Sequence, residues 1–154
     1  MLSWWNNFLG DRRGVSAIEF AILAPVLLIV VGGVVEVGRL LAEGNQLEKS
    51  VQAGAMVAAR RTLPLDAASL TDIQNAVRTG RIDGTAPLLL PGWTDGGSSL
   101  TITVTPQSVL GQAINVIRID AIVPHVPIVQ GLMDLAGLGA FTLTASHEQV
   151  HIGD

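Results

Sequence analysis

The stretch VSAIEFAILAPVLLIVVGGVV, residues Val15–Val35, decides the fold class of this chain. A helix rises 1.5 Å per residue, so this stretch would span roughly 31 Å, about the thickness of the hydrocarbon layer of a bilayer. Its uninterrupted apolar part, Phe20–Val35, is short enough to be a buried core helix by length alone. It is apolar on every face, however, and a chain of 154 residues could hardly surround such a helix. We therefore predict a helix that spans a membrane.

The composition excludes several classes of function. Charged residues make up 14% of the chain and apolar residues 49%, whereas an average soluble domain is about one quarter charged. The net charge of -4 offers no basic surface, which argues against a nucleic-acid partner. The absence of cysteine removes disulfides, thiolate nucleophiles and cysteine-based zinc sites. The sequence also lacks a nucleophile elbow and a phosphate-binding glycine loop, so we expect no enzyme activity, no metal and no cofactor.

A short segment that ends Asp11-Arg12-Arg13-Gly14 precedes the apolar stretch. A secretory signal has an apolar core of roughly 7–15 residues with a small-residue cleavage site after it. Here the apolar stretch is longer, and the small residue that stands out, Gly14, lies before it. Arg12 and Arg13 favour a cytoplasmic N-terminus by the positive-inside rule, which places the C-terminal part across the membrane.

Glu19 is the one charged residue within the apolar stretch. A carboxylate at the centre of a membrane helix costs about 2.5–3.5 kcal/mol, and less near an end. One interpretation is a charge tolerated near the cytoplasmic interface. The other interpretation connects Glu19 with cleavage of the chain after Gly14. Such cleavage would create an amine on Val15, and the amine of a neighbouring subunit could neutralise the carboxylate of Glu19.

These residues resemble a known family. The segment that starts at Gly14 is similar to type IV pilins and pseudopilins, and most closely to the TadE-like minor pilins of the tight-adherence (Tad/Flp) system. TadF-like proteins share related N-terminal segments. The positions that carry the resemblance are Gly14, Glu19–Phe20, Pro25, Glu36, Gly38–Arg39 and Ala59–Arg60.

The resemblance implies a structural role in the assembly of a pilus. A prepilin peptidase would cut between Gly14 and Val15 and remove a cytoplasmic leader, residues 1–14. Glu19 would guide assembly, with Phe20 a weaker member of the same site. Residues 15–36 would cross the inner membrane in contact with the lipid bilayer, and residues 37–154 would form a periplasmic pilin-like domain.

The partners that the resemblance implies are other pilins or minor pilins and the assembly platform in the inner membrane. The mature chain could also enter the extracellular pilus. The alternative is a signal-anchored periplasmic binding domain that keeps Met1 and never polymerises.

The helix is expected to continue beyond the membrane over residues 37–61. Apolar or small residues recur there at spacings of three and four, which is typical of one buried stripe. Arg39 stands three residues after Glu36 and four before Glu43, and such pairs each contribute a few tenths of a kcal/mol. These charges either form a solvated surface or contact another subunit. Arg60 and Arg61 suit the last turn of this helix by complementing its dipole.

The remainder of the chain predicts an α+β fold, in which the long helix packs on a small antiparallel sheet of about three strands. A short helix over 66–79 could be capped by Asp66 or Ser69. Alternating apolar residues predict strands near 100–105, 114–123 and 140–150. A short helix is expected within Pro127–Ala136, and the apolar triplet Leu88–Leu90 is expected to fold back onto the domain.

The three histidines raise a metal hypothesis and an enzyme hypothesis. His147 and His151 are four residues apart in a strand pattern, which separates them by about 13 Å and argues against a shared metal. The enzyme hypothesis requires a cleft in which at least two candidate residues converge. The candidates are Asp120, His125, Asp134 and His147.

Overall fold

The computed structural model describes residues 14–128, 130–131 and 140–153. Its longest element is helix α1, Val15–Ala58, which runs without interruption through Pro25. At 1.5 Å per residue this helix is about 66 Å long. The stretch predicted to span a membrane and its predicted amphipathic continuation are therefore one continuous helix.

Helix α1 ends at Ala58, three residues before the predicted end at Arg61. The backbone N–H of Ala59 donates to Ala55 O at 2.9 Å, and the chain then turns. Arg60 and Arg61 consequently lie beyond the helix and not in its last turn, which corrects the sequence-based expectation. Arg61 instead pairs with Asp72 at 2.7 Å, because the turn directs it toward the next helix.

The two halves of α1 have different surroundings. The first half contains the one described helix segment that is long and apolar enough to cross a membrane, and none of its most apolar 18 residues is buried within the chain. In the second half, the stripe Leu47, Val51, Ala55 and Ala58 is fully buried. The long apolar helix is thus compatible with a membrane anchor at one end and serves as the core of a folded domain at the other.

The domain around the second half of α1 contains a second α-helix, α2, Ala67–Thr79. The Asp66 carboxylate caps it by accepting a hydrogen bond from the Ser69 backbone N–H at 2.7 Å. This hydrogen bond lowers the pKa of Asp66. At the other end Gly80 adopts a left-handed conformation, φ 75°, which suits glycine.

Three antiparallel strands form a sheet of order β1-β2-β3: Ser99–Val109, Gln112–Pro124 and Thr142–Val150. The first two are longer than predicted because they join in a hairpin whose pairing continues to Val109 and Gln112. The inward residues of β2 pack on α1 and are fully or almost fully buried: Ile117, Ile119, Ala121 and Val123. The predicted α+β fold, with a long helix on a three-stranded antiparallel sheet, is confirmed.

The loop between α2 and β1 only partly folds back onto the domain. Leu90 is buried, whereas Leu88 remains exposed. A 3-10 helix, Pro91–Thr94, follows and places Trp93 in the core. Most of the helix predicted within Pro127–Ala136 lies outside the described residues.

Helix α2 approaches α1 closely at Gly54. A Cβ atom at this position would collide with Cγ2 of Val77, whereas one at Gly44 would meet Cδ2 of Leu143 at 3.8 Å, an ordinary contact. Both glycines are interior positions of the same helix. They therefore form a matched pair for testing how tightly the core is packed.

We expect Gly54→Ala to lower the free energy of unfolding by about 1–3 kcal/mol, because the added methyl group overpacks the interface between α1 and α2. Gly44→Ala should be neutral or stabilising by up to about 1 kcal/mol, because alanine favours the helix and space is available. Thermal unfolding of the full chain in detergent, followed by near-ultraviolet circular dichroism, measures both. Equal effects of the two substitutions would contradict the packing at Gly54.

Candidate functional site

The residues predicted to be cut and to guide assembly lie at the start of α1. Val15 is 50% and Phe20 68% exposed, and Gly14 and Glu19 are exposed as well. Among the residues that the structure describes, Glu19 has no hydrogen-bond or ion-pair partner. A carboxylate in an apolar helix that faces lipid is costly unless a group from another chain pairs with it or it lies near the interface between membrane and water.

A second set of charged residues begins directly after the apolar stretch, at Glu36. Arg39 Nη1 lies 3.2 Å from Glu36 Oε1, and Arg39 Nη2 lies 3.0 Å from Glu43 Oε1. The helical spacing brings all three side chains to one face of α1. The Glu36 side chain is only 4% exposed, so it does not belong to a solvated helix surface. The other alternative, a contact with another subunit, stays a prediction.

The group that buries Glu36 is His125, which follows the end of β2. Its Nε2 lies 2.7 Å from Glu36 Oε1, and its Nδ1 lies 2.6 Å from Glu43 Oε2. The His125 side chain is 1% exposed. Its backbone N–H donates to Phe141 O at 2.8 Å, which ties the cluster to the residue before β3. We call Glu36, Arg39, Glu43 and His125 the junction cluster.

The backbone after His125 also binds the junction cluster. The N–H of Ile128 donates to Glu36 Oε1 at 3.3 Å, and Arg39 Nη1 donates to Val126 O at 3.5 Å. Segment 125–128 is therefore held against α1 at the point where the helix leaves its apolar stretch. The cluster couples the orientation of the domain to that of the membrane helix.

Both nitrogens of His125 face a carboxylate oxygen, one of Glu36 and one of Glu43. The cluster thus holds one guanidinium and one imidazole between two carboxylates. Each carboxylate therefore has two side-chain partners, which offset the penalty of removing it from water.

The candidate catalytic residues do not converge in the described part of the chain. His147 pairs with Ile119 on the inner face of the sheet, so Asp120 lies on the opposite face. Asp120 accepts hydrogen bonds from Arg118, which lower its pKa and keep it ionised. His125 belongs to the junction cluster, and Asp134 lies outside the described residues. His151 Nε2 lies 2.7 Å from Arg61 O, and within the described ranges no three ligating side chains could hold a metal.

A groove of about 410 Å³ lies beside the junction cluster, next to the apolar half of α1. Among the described residues that line it, most are apolar, and the titratable ones are Glu36 and His125, which pair with each other. We call this the basal groove. The apolar residues that line it are Val30, Gly33, Val34, Val37, Leu40 and Phe141.

Comparison with known proteins identifies the helix that carries these sites. Residues 14–56 match the family model of TadE-like proteins. The N-terminal segment is TadE-like. No curated protein and no solved structure matches the chain.

The TadE-like segment begins at Gly14 and ends two residues before α1 does. It contains Glu19, Glu36, Arg39 and Glu43, whereas His125 lies outside it. The resemblance seen in the sequence is thereby confirmed, and it gives the chain a pilin-like role associated with the Tad pilus. TadE-like proteins are structural pilus components that act with other pilus components, and this family is not known for enzymes.

Sequence reasoning missed His125 as the partner of Glu36 and Glu43. His125 lies 82 positions after Glu43 and 89 positions after Glu36 along the chain. The sequence signal for His125 was a histidine between two prolines at the end of a buried strand. This signal could not identify the carboxylates that the histidine contacts, because those contacts depend on how the sheet is placed along α1.

We expect His125→Ala to destabilise the full chain by about 3 kcal/mol, because Glu36 and Glu43 lose their shared buried partner. His151→Ala should cost about 1 kcal/mol, since it removes a single partly exposed hydrogen bond. Unfolding in detergent measures both, and a double-mutant cycle with Glu36→Gln isolates the coupling. Additive effects of His125→Ala and Glu36→Gln would show that the two side chains do not interact.

Proposed function

We propose that this chain is a minor pilin of a Tad/Flp-type pilus, cut between Gly14 and Val15 by a prepilin peptidase and anchored by α1 in the inner membrane. The observation that carries the proposal is an apolar helix half that is unburied within the described part of the chain and holds Glu19, a carboxylate without a partner among the residues that the structure describes. The match to TadE-like proteins, which starts at Gly14, supports the same interpretation.

Cleavage would create the partner that Glu19 lacks. Removal of residues 1–14 leaves a cationic amine on Val15, four residues before Glu19. In the low dielectric of a helix bundle, an amine of one subunit and a carboxylate of the next attract more strongly than in water. The pair would also select the relative height of two subunits, because a shift leaves a buried charge uncompensated. Phe20, 68% exposed beside Glu19, would pack on the same neighbour.

The orientation follows from Arg12 and Arg13, which keep the leader in the cytoplasm. Residues 15–36 then cross the inner membrane, and residues 37–154 lie in the periplasm. The junction cluster would stand at the boundary and hold the domain at a defined angle to the membrane helix. The role is structural, with other pilins or minor pilins and the assembly platform as partners.

The maturation step predicts a new N-terminus. In membranes that contain the peptidase, mass analysis of the extracted protein should find a chain that starts at Val15. Gly14→Leu should leave the leader attached, because the residue before the cleaved bond is changed. Gly38→Leu, at an open position of the same helix, should be cut normally. An intact leader on the wild-type chain beside an active peptidase would favour the unprocessed, signal-anchored binding domain.

The assembly step predicts that Glu19→Gln enters the membrane normally, since a neutral side chain is inserted more easily than a carboxylate. Its incorporation into sheared pili should fall at least about tenfold, equivalent to about 1.4 kcal/mol of lost pairing. Glu48→Gln removes an exposed carboxylate from the periplasmic half of the same helix and should have no effect. Immunoblots measure the ratio of the protein in sheared pili to the protein in membranes. Normal incorporation of Glu19→Gln would contradict the proposed pairing of Glu19 with the amine of Val15.

A further inference from the structure

The exposed apolar face of α1 continues past the end of the stretch predicted to span a membrane. Spacings of four, three and four residues place a row of apolar side chains on one face of the helix. The members of this row are each more than half exposed: Val30, Val34, Val37 and Leu41. The next position on the same face, Asn45, is polar and exposed. The apolar face therefore ends between Leu41 and Asn45, beyond Glu36.

The end of this apolar face agrees with the dimensions of a bilayer. At 1.5 Å per residue, Val15 and Leu41 are about 39 Å apart along the helix axis. This distance exceeds the roughly 30 Å of the hydrocarbon core and approaches the roughly 40–45 Å of the core with its headgroup layers. If residues 15–36 fill the hydrocarbon core, as the proposed anchoring requires, the level from Glu36 to Leu41 lies in the headgroup layer.

The segment after β2 brings the domain to the same level of α1. Arg39 donates to Val126 O at 3.5 Å, and the Ile128 N–H donates to Glu36 Oε1 at 3.3 Å. Side chains of a helix lean toward its N-terminus, so the Glu36 carboxylate lies on the side of its own Cα that faces the apolar half. The backbone of Ile128 is therefore at the end of the stretch predicted to span the membrane, and Leu41 is farther from that stretch.

Segment 126–128 combines exposed apolar side chains with backbone groups that bind α1. The side chains of Val126 and Ile128 are exposed. The Val126 carbonyl and the Ile128 N–H both form hydrogen bonds with side chains of α1, and Pro127 between them has no N–H. The sequence contains no charged residue from Val126 to Met133. A segment of this kind can enter a poorly hydrated layer at low cost, because these backbone groups already have partners.

We propose that Val126 and Ile128 insert into the boundary between headgroups and acyl chains of the bilayer that anchors α1. The exposed face of α1 is still apolar at this level, which indicates that lipid surrounds the helix there and reaches the segment beside it. The contact is thus continuous with the membrane surface of α1, and the two together would fix the tilt of the domain relative to the bilayer. The inference rests on the proposed anchoring and adds a lipid contact made by the folded domain.

Quenching of a fluorescent label by lipid tests the contact on the full chain, reconstituted at low density in phosphatidylcholine vesicles. The natural sequence has no cysteine, so one introduced cysteine carries the only label. The labelled variants are Ile128→Cys, Ile152→Cys and Leu28→Cys. The quenching lipids carry a nitroxide either near the headgroup or near the end of the acyl chain, so that they report two depths.

Ile128 and Ile152 form a matched pair, because both are isoleucines of nearly equal exposure, 68% and 66%. The Ile152 N–H donates to Ala59 O at 2.9 Å, so Ile152 lies at the opposite end of the domain. Along α1, Leu41 and Ala58 are about 26 Å apart. We expect the nitroxide near the headgroup to quench the Ile128 label at least about twofold more strongly than the Ile152 label, because interfacial side chains lie roughly 5–10 Å deep. Thermal unfolding in detergent should be the same for both variants, since both positions are exposed.

Two results would overturn the contact. An Ile128 label that aqueous iodide quenches as strongly as the Ile152 label lies in water and not in lipid. An Ile128 label that is protected from iodide but is not quenched by either nitroxide lipid is covered by protein.

The label at Leu28, in the middle of the apolar half of α1, distinguishes failure of the contact from failure of the proposed function. If the deep nitroxide quenches the Leu28 label and neither lipid quenches the Ile128 label, the anchor stands and the contact is wrong. If the Leu28 label is not quenched, the anchor and the contact are both wrong. If the Ile128 label is quenched although the leader stays attached and Glu19→Gln is incorporated normally, the contact is real and the pilin mechanism is wrong.

Discussion

The structure depends on the burial of one stripe of α1, Leu47 to Ala58, against the inner face of β2. This contact joins a helix about 66 Å long to a sheet that would otherwise expose its apolar face. Because the stripe occupies only the second half of α1, the first half remains unburied within the described chain. One helix therefore combines a stripe buried in protein with an apolar half that is compatible with a membrane anchor.

The junction cluster lies between the apolar half of α1 and its buried stripe. A buried carboxylate is unfavourable by itself, yet Glu36 is held by Arg39, His125 and a backbone N–H. The cluster draws its groups from α1 and from the segment after β2, so it fixes the sheet to the helix in one orientation.

The domain has different chemistry at its two ends. The end next to the apolar half of α1 carries the basal groove, whereas the other end carries the turn of the β1–β2 hairpin with the fully exposed Leu110.

The sequence by itself determined the local elements and the family. The apolar run predicts the membrane helix, and the three-to-four spacing predicts its amphipathic continuation. The alternation of strand residues predicts the inner face of β2. The sequence suffices for these predictions because each signal is set by neighbours in the chain. The positions around Gly14 and Glu19 sufficed to identify the TadE-like segment. The end of α1 was predicted three residues too late, since the turn at Ala59 is set by packing of the following segment.

Only the tertiary structure decided which distant groups meet. His125 joins Glu36 and Glu43 across more than 80 positions because the sheet lies along α1 in one register, and no local pattern encodes that register. The same placement puts Asp120 and His147 on opposite faces, which separates residues that the sequence left free to converge. Local spacing specifies which face of an element is apolar, whereas the long-range packing of those faces decides which polar groups are buried together.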